Sequence, residues 1–207
     1  ANPYVTYEKV DGASSTHTVL LDRYERITGT LYSLLTLGTF RGDSGFHATP
    51  VAAVSKSQPG TPSFLVASWK NAGSLSFGIG RYGGNVFSSH YSWSTTDLSG
   101  IFPISNVINP ALAITMLGPS SKPVPNFYLV WEETGTGGGI RLLHGSYSGS
   151  VWPPLASQIA WEKSAIIRVA DNSASETNSG PAIALDGSSG VYIAWRYSGG
   201  TWGTGAG

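Results

Sequence analysis

The sequence contains no cysteine, so it has neither a disulfide framework nor a thiolate metal site. Charged residues make up only 12%, about half the share of an average soluble domain, and the 12 basic and 12 acidic residues cancel. A chain without net charge creates no field that would concentrate nucleic acid or anionic lipid. The longest apolar runs, such as 31–37 and 127–131, are far shorter than the roughly 20 residues of a membrane-spanning helix. We therefore expect no nucleic-acid partner and no membrane span.

In place of charged residues, the sequence is rich in glycine, proline, aromatic residues, serine and threonine. The 207 residues include 27 glycines and 12 prolines, and 12% of them are aromatic. This composition favours a turn-rich all-β protein, and a hydrophobic content of 41% is enough for a core. The chain begins with neither methionine nor the basic and apolar regions of a signal peptide. We expect a mature extracellular or cell-surface protein that forms one domain over residues 1–207.

One strand-like segment is repeated four times along the chain. The copies end in Tyr7, Trp69, Trp131 and Trp195, at intervals of 62 to 64 residues. A second apolar segment precedes three of the copies and is opened by Pro50, Pro110 and Pro181. Sheets tolerate proline at the first residue of a strand, which supports reading these segments as strands. A repeat of this length indicates a modular β fold.

Glycine turns follow the aromatic-ended segment in 80–87 and 145–152, with a shorter copy in 197–202. Each repeat therefore predicts about four short strands and no helix. Four-stranded sheets repeated at this interval are typical of β-propeller blades, and a β-sandwich is the alternative. In this frame the chain holds about three and a third blades, because it enters and leaves at the second strand of a blade. We expect the remainder of a longer chain, or copies of the same chain, to complete the ring.

Two segments of the repeats carry a family resemblance. Residues 171–195 begin with Asp-Asn-Ser and continue into Gly-Pro-Ala-Ile-Ala-Leu-Asp-Gly and Val-Tyr-Ile-Ala-Trp. Residues 146–152 are similar to a degenerate Asp box, with Ser148 in place of the aspartate and Val151 in place of the threonine. The chain thus resembles sialidase-like propellers with Asp-box repeats, which implies the fold. Sialidase activity is not implied, because the Phe/Tyr-Arg-Ile-Pro motif is missing and the nearest fragment, 40–43, lacks Ile-Pro.

Tryptophan is the residue type that most suggests a ligand site, because an indole ring can stack on the C–H face of a sugar. The repeated Trp69, Trp131 and Trp195 are expected to fill the space between sheets. The tryptophans near turns are better candidates for exposed positions: Trp93, Trp152, Trp161 and Trp202. The candidate ligand-binding residues are Trp152 and Trp202 as stacking platforms, Arg81 and Arg141 as donors, and Glu132 as an acceptor. Glu132 follows a strand aromatic, as Glu8 does, which also favours a structural role.

No catalytic residue and no cofactor is predicted, and Ca²⁺ is the metal that the sequence leaves open. The four histidines, at positions 17, 47, 90 and 144, are widely separated and show no metal-ligand spacing. Residues 171–176 alternate oxygen-bearing side chains that could surround Ca²⁺, but they lack the glycine and the closing glutamate of an EF-hand loop. A protease-like Gly-Asp-Ser-Gly at 42–45 lies too close to His17 for a serine-protease triad.

Three functions are compatible with these features. The first is a non-catalytic, lectin-like propeller, whose partners are glycans or cell-surface components and whose repeated shallow sites act together. The second is a structural or adhesive surface protein that assembles through incomplete blades. The third is a fragment of a glycoside hydrolase, which would need two carboxyl groups about 5 to 9.5 Å apart.

Overall fold

The computed structural model describes residues 4–11, 16–25, 30–41, 47–55, 63–71, 73–82, 91–118, 124–135, 137–149, 158–162, 166–186 and 190–199. The strands are β1 (Tyr4–Asp11), β2 (Thr16–Glu25), β3 (Thr30–Arg41), β4 (Val51–Val54), β5 (Ser63–Asn71), β6 (Ser74–Tyr82), β7 (Tyr91–Asp97), β8 (Val107–Leu117), β9 (Val124–Glu133), β10 (Gly139–Ser146), β11 (Ala160–Trp161), β12 (Ile167–Asp171), β13 (Thr177–Leu185) and β14 (Val191–Ser198). A 3-10 turn spans Leu98–Gly100. Within the described residues, no helix is long and apolar enough to cross a membrane.

The described strands form four antiparallel sheets in chain order. Sheet 1 is β1-β2-β3, sheet 2 is β4-β5-β6-β7, and sheet 4 is β13-β14. Sheet 3 runs β8-β9-β10, and both β11 and β12 pair with β10. The all-β prediction is confirmed. The arrangement is consistent with a propeller segment, and the β-sandwich alternative is compatible with it as well.

The central strands of sheets 2 and 3 are buried on both faces. Residues 64–69 of β5 and 125–132 of β9 are buried without interruption. A strand covered on both sides has a continuous apolar run instead of an alternating one, and the repeated segments have this pattern. Trp69 and Trp131 are buried at the ends of these runs, as the repeat predicts.

Successive sheets pack face to face through three hydrophobic clusters. The first joins sheets 1 and 2 through Val19 and Leu21 on one side and Leu65, Ala67 and Trp69 on the other. The second joins sheets 2 and 3 and includes Phe77, Ile79, Phe127, Leu129 and Trp131. The third joins sheets 3 and 4 through Tyr128, Val130, Ile140 and Leu142, which meet Ile183, Leu185, Val191 and Ile193. Each inner sheet therefore has one face for the preceding sheet and one for the following sheet.

Two tryptophans are placed differently from the sequence-based expectation. Trp161 was a candidate for an exposed position, but it is only 8% exposed, so this prediction is wrong. Its ring meets Phe77 and Phe127 edge-on at centroid distances of 5.2 and 5.3 Å, because β11 folds back onto β10 beside them. Trp195 was expected in the core, but it is 40% exposed in the two-stranded sheet 4. Fewer neighbouring strands cover its ring, and its Nε1 donates to Asn178 Oδ1 at 2.9 Å.

Candidate functional site

The residue before each repeated proline has a left-handed backbone. The φ angles are 41° at Thr49, 50° at Asn109 and 60° at Gly180. Proline has no N–H to donate to a strand ladder, and the pairing shifts register at this point in both β8 and β13. Positive φ is unfavourable for threonine in particular, and such strain concentrates at functional sites. The three proline segments are therefore equivalent in conformation as well as in sequence.

These three segments converge on one pocket with a volume of about 610 Å³, which we call the proline pocket. It is lined by Thr49, Pro50, Val51, Asn109, Pro110, Ser179, Gly180, Pro181 and Arg196. The volume lies within the range of about 300–1,000 Å³ that is usual for ligand sites. Proline rings supply apolar surface, while hydroxyl, amide and guanidinium groups supply hydrogen bonds. Sheets 2, 3 and 4 each contribute one proline segment, so the repeat itself builds the pocket.

Glu132 supports this pocket from the last part of β9. It is buried, and its Oε2 accepts hydrogen bonds from Asn109 Nδ2 at 3.0 Å and from Gly180 N at 2.9 Å. One carboxylate oxygen thus holds the proline segment of its own sheet and that of the next sheet. Hydrogen bonds to a charged acceptor are stronger than neutral ones, which makes this a firm link between sheets 3 and 4.

Glu8 makes the corresponding link between sheets 1 and 2. Its Oε2 accepts a hydrogen bond from Ala48 N at 3.0 Å, and its Oε1 is bonded to Nδ1 of the buried His17. Ala48 lies two residues before Pro50, whereas Gly180 lies one residue before Pro181, so the two links meet the proline segment at neighbouring positions. The structural role that the sequence favours for both glutamates is supported by these contacts. In alternate repeats, an acid after the strand aromatic fixes the start of the next sheet.

Basic residues occupy this repeat position in the other two copies, as Lys70 and Arg196. Arg196 lines the proline pocket, and its side chain is exposed. Its Nε donates to Ser179 Oγ at 3.2 Å, and this bond orients the guanidinium plane. The guanidinium carries four further N–H donors in a fixed fork, which suits oxygen-rich ligands.

The contacts of Glu132 predict a measurable role in stability. Glu132→Ala should lower the free energy of unfolding by about 1–3 kcal/mol, because the Asn109 amide and the Gly180 N–H lose their shared acceptor. Glu132→Gln keeps an acceptor oxygen in the same place and should lose less than half of that amount. Urea denaturation followed by circular dichroism measures both variants. Equal losses for the two substitutions would contradict the assigned hydrogen bonds.

A second, smaller pocket of about 230 Å³ lies between sheets 1 and 2. Its lining includes Thr39, Trp69, Asn71 and Asp97. Burial opposes the ionisation of Asp97, but hydrogen bonds from Ser99 N and Oγ and from Ser74 Oγ outweigh it, so its pKa lies below the usual value. This volume is below the range usual for ligand sites, and Trp69 is almost fully buried, so the proline pocket is the better candidate.

The five sequence-based ligand residues have different positions in the structure. Glu132 lies beside the proline pocket, whereas Arg141 is buried in sheet 3 and is fully engaged by Glu133, Asp171 and three backbone carbonyls. Trp152, Trp202 and the side chain of Arg81 lie outside the described residues. The ligand roles of these five residues stay predictions.

The segment 171–176, considered for Ca²⁺, uses its polar side chains for internal contacts. Asp171 pairs with Arg141, Asn172 Oδ1 accepts from Asn178 N, and Glu176 Oε1 accepts from Tyr197 Oη. The contact with Glu176 raises the pKa of the Tyr197 hydroxyl. Among the described residues, no three His, Asp or Glu side chains are grouped so that they could hold a metal ion. A calcium site at this segment stays a prediction.

Sequence reasoning did not single out four polar residues of the proline pocket: Thr49, Asn109, Ser179 and Arg196. A signal for the first two existed in the aligned repeats, where they immediately precede a repeated proline. Arg196 could have been found by its place after Trp195, which matches that of Glu132 after Trp131. Only the packing of the sheets shows that these positions meet.

Comparison with known proteins finds no significant similarity: no family model, curated protein or solved structure matches the chain.

Proposed function

We propose that this protein is an extracellular, non-catalytic carbohydrate-binding protein, that its sheets are blades of a β-propeller, and that the proline pocket is its ligand site. The observation that carries the proposal is the convergence of three repeated segments and Arg196 on one pocket. Such a site at the meeting point of the first strands fits the propeller arrangement.

The chemistry of the lining supports a sugar as the ligand. Hydroxyl and amide groups of Thr49, Asn109 and Ser179 can both donate to and accept from sugar hydroxyls. The ring of Pro50, which is half-buried, offers apolar surface for the C–H face of a pyranose, whereas Pro110 and Pro181 line the pocket as buried residues. Of the described residues that line the pocket, none is acidic, and the whole chain has no net charge. This balance suits a polyhydroxylated ligand better than a polyanion or a purely apolar molecule.

Glu132 both links sheets 3 and 4 and orients a residue of the proline pocket, which fits the same proposal. The carboxylate orients the Asn109 side chain through its amide nitrogen, so the amide is held in place before a ligand arrives. Pre-organised polar groups reduce the entropy that binding costs. Thr49 and Asn109 line the pocket with a left-handed backbone conformation, which is part of the same pre-organised arrangement.

Arg196→Ala tests the assigned site. The protein is applied to an array of neutral and acidic oligosaccharides, and the affinity for the best-bound one is measured by calorimetry. We expect saturable binding that the free sugar competes, weakened about tenfold or more by Arg196→Ala, because a hydrogen bond from a charged group contributes about 1.5–3 kcal/mol. Arg196 is exposed, so its removal should leave the fold intact.

Arg168→Ala is the matched control, since Arg168 is 72% exposed on β12 and does not line the pocket. It should bind like the wild type. If Trp152→Ala abolishes binding while Arg196→Ala does not, the sequence-based ligand residues are correct and the proline pocket is not the site. Absence of saturable binding contradicts the carbohydrate proposal, and turnover of chromogenic glycosides would instead favour a glycoside hydrolase.

A further inference from the structure

Sheet 4 has a face that no other described element covers. On this face Ala182 lies opposite Ala194, and Ala184 lies opposite Tyr192. All four residues are exposed, and Tyr192 is 62% exposed. Directly paired residues of antiparallel strands share a face, so the four side chains form one small apolar surface. We call it the trailing face.

The same surface exists in sheet 3, where it is covered. There Ala111 lies opposite Val130, and Ala113 lies opposite Tyr128, in the register of the four residues on sheet 4. Val130 and Tyr128 are buried against Ile183, Leu185, Val191 and Ile193 of sheet 4. The structure therefore shows what covers this type of surface, namely the next sheet of the repeat.

Sheet 1 has the complementary face, and no other described element covers it. Val5 is 44% exposed and Tyr7 is 37% exposed. Their repeat equivalents are Ala67 with Trp69 in sheet 2, and Leu129 with Trp131 in sheet 3. Those residues are buried against the preceding sheet in both cases. We call the surface around Val5 and Tyr7 the leading face.

We infer that the trailing face of one molecule binds the leading face of a second copy of this chain. The two surfaces are the separate halves of a contact that the molecule already makes three times between its own sheets. These contacts join sheet 1 to sheet 2, sheet 2 to sheet 3, and sheet 3 to sheet 4. Both halves belong to one chain, so a second copy supplies the matching half in the same geometry. Covering Tyr192, Tyr7 and Val5 removes apolar surface from water, which drives the association.

The contact is head-to-tail, because it joins two different surfaces. Such a contact closes into a ring if the rotation between copies allows it, and otherwise extends into a filament. In either assembly, each molecule uses both faces.

Sedimentation of the intact chain over a wide concentration range tests this inference. The wild type should form assemblies larger than a monomer. Tyr192→Asp and, separately, Val5→Asp should each weaken association at least about tenfold. The first places an unpaired charge in an apolar contact, and the second places a further carboxylate beside Asp22, the partner of Val5 in the strand register. Ala194→Asp is a second variant of the trailing face, in case Tyr192 also affects folding. Ile167→Asp is the control, since Ile167 is 48% exposed and lies on neither face.

Mixing two single variants gives the sharpest outcome. Tyr192→Asp keeps an intact leading face, and Val5→Asp keeps an intact trailing face. An equimolar mixture should therefore form a heterodimer and stop there, although neither variant associates alone. A wild type that is monomeric at every concentration overturns the inference, and so does a mixture that fails to associate. Single variants that each dimerise alone would also overturn it, because like faces would then pair with like.

Discussion

Trp131→Ala should lower the free energy of unfolding by about 3–5 kcal/mol, which is a large share of the 5–15 kcal/mol that stabilises a typical domain. Trp131 is completely buried in the cluster that joins sheets 2 and 3. Its removal leaves a cavity in a core that relaxes only in part. Urea denaturation followed by far-UV circular dichroism is the appropriate measurement, because the substitution itself changes tryptophan fluorescence.

Trp195→Ala is the matched control for this prediction. Trp195 occupies the same repeat position, but it is much more exposed and keeps one hydrogen bond to Asn178. Its loss should cost about 1 kcal/mol, the value typical of single substitutions. If both substitutions cost the same, the described difference in burial between the two equivalent residues is wrong.

The repeat explains why much of the fold could be predicted from the sequence. A strand that is covered on both faces needs an unbroken apolar run, so β5 and β9 can be recognised without knowing their neighbours. Prolines that open β4 and interrupt β8 and β13 likewise have a local cause, since they cannot donate to a ladder. The all-β class and the burial of Trp69 and Trp131 follow from these local rules.

The candidate site could not be predicted in the same way, because its parts come together only when the sheets stack. Thr49, Asn109 and Gly180 are separated by 60 residues or more in sequence, and they meet because three repeats present one position toward a shared pocket. The burial of Trp161 in the core could not be predicted from the sequence for the same reason. Its segment resembles a turn locally, and it becomes buried only through pairing with β10 and contact with Phe77.

Arg141 illustrates how burial changes the reading of a charged residue. As a sequence feature it suggested a donor to a ligand, yet its guanidinium is buried between β10, β9 and β12. Nε donates to Glu133 at 3.0 Å, and Nη1 donates to Asp171 at 2.8 Å. Further bonds to the carbonyls of Gly137 and Ala170 place this side chain at the junction of three strands and a turn.

Arg141→Met should therefore lower the free energy of unfolding by about 3–5 kcal/mol, because it leaves the Glu133 carboxylate, which is 19% exposed, and the carbonyl oxygens of Gly137 and Ala170 without the donor they share. Methionine keeps most of the aliphatic volume, so the loss reports on the charge and the hydrogen bonds more than on packing. Arg141→Lys keeps the positive charge but lacks the planar fork, and it should give an intermediate loss. The measurement is the shift of the urea midpoint at an unchanged slope.

Arg168→Ala is the matched control for the stability loss expected of Arg141→Met. Arg168 lies opposite Arg141 in the strand register and approaches the same Asp171 at 3.8 Å, but its side chain is largely exposed. Exposed ion pairs contribute about 0–1 kcal/mol, so this variant should be nearly as stable as the wild type. A loss below about 1 kcal/mol for Arg141→Met, combined with weakened sugar binding, would contradict a structural role and return Arg141 to the ligand site. A large loss, with binding unchanged in the folded fraction, would establish that the buried Arg141 guanidinium holds sheet 3 together and leaves ligand recognition to Arg196.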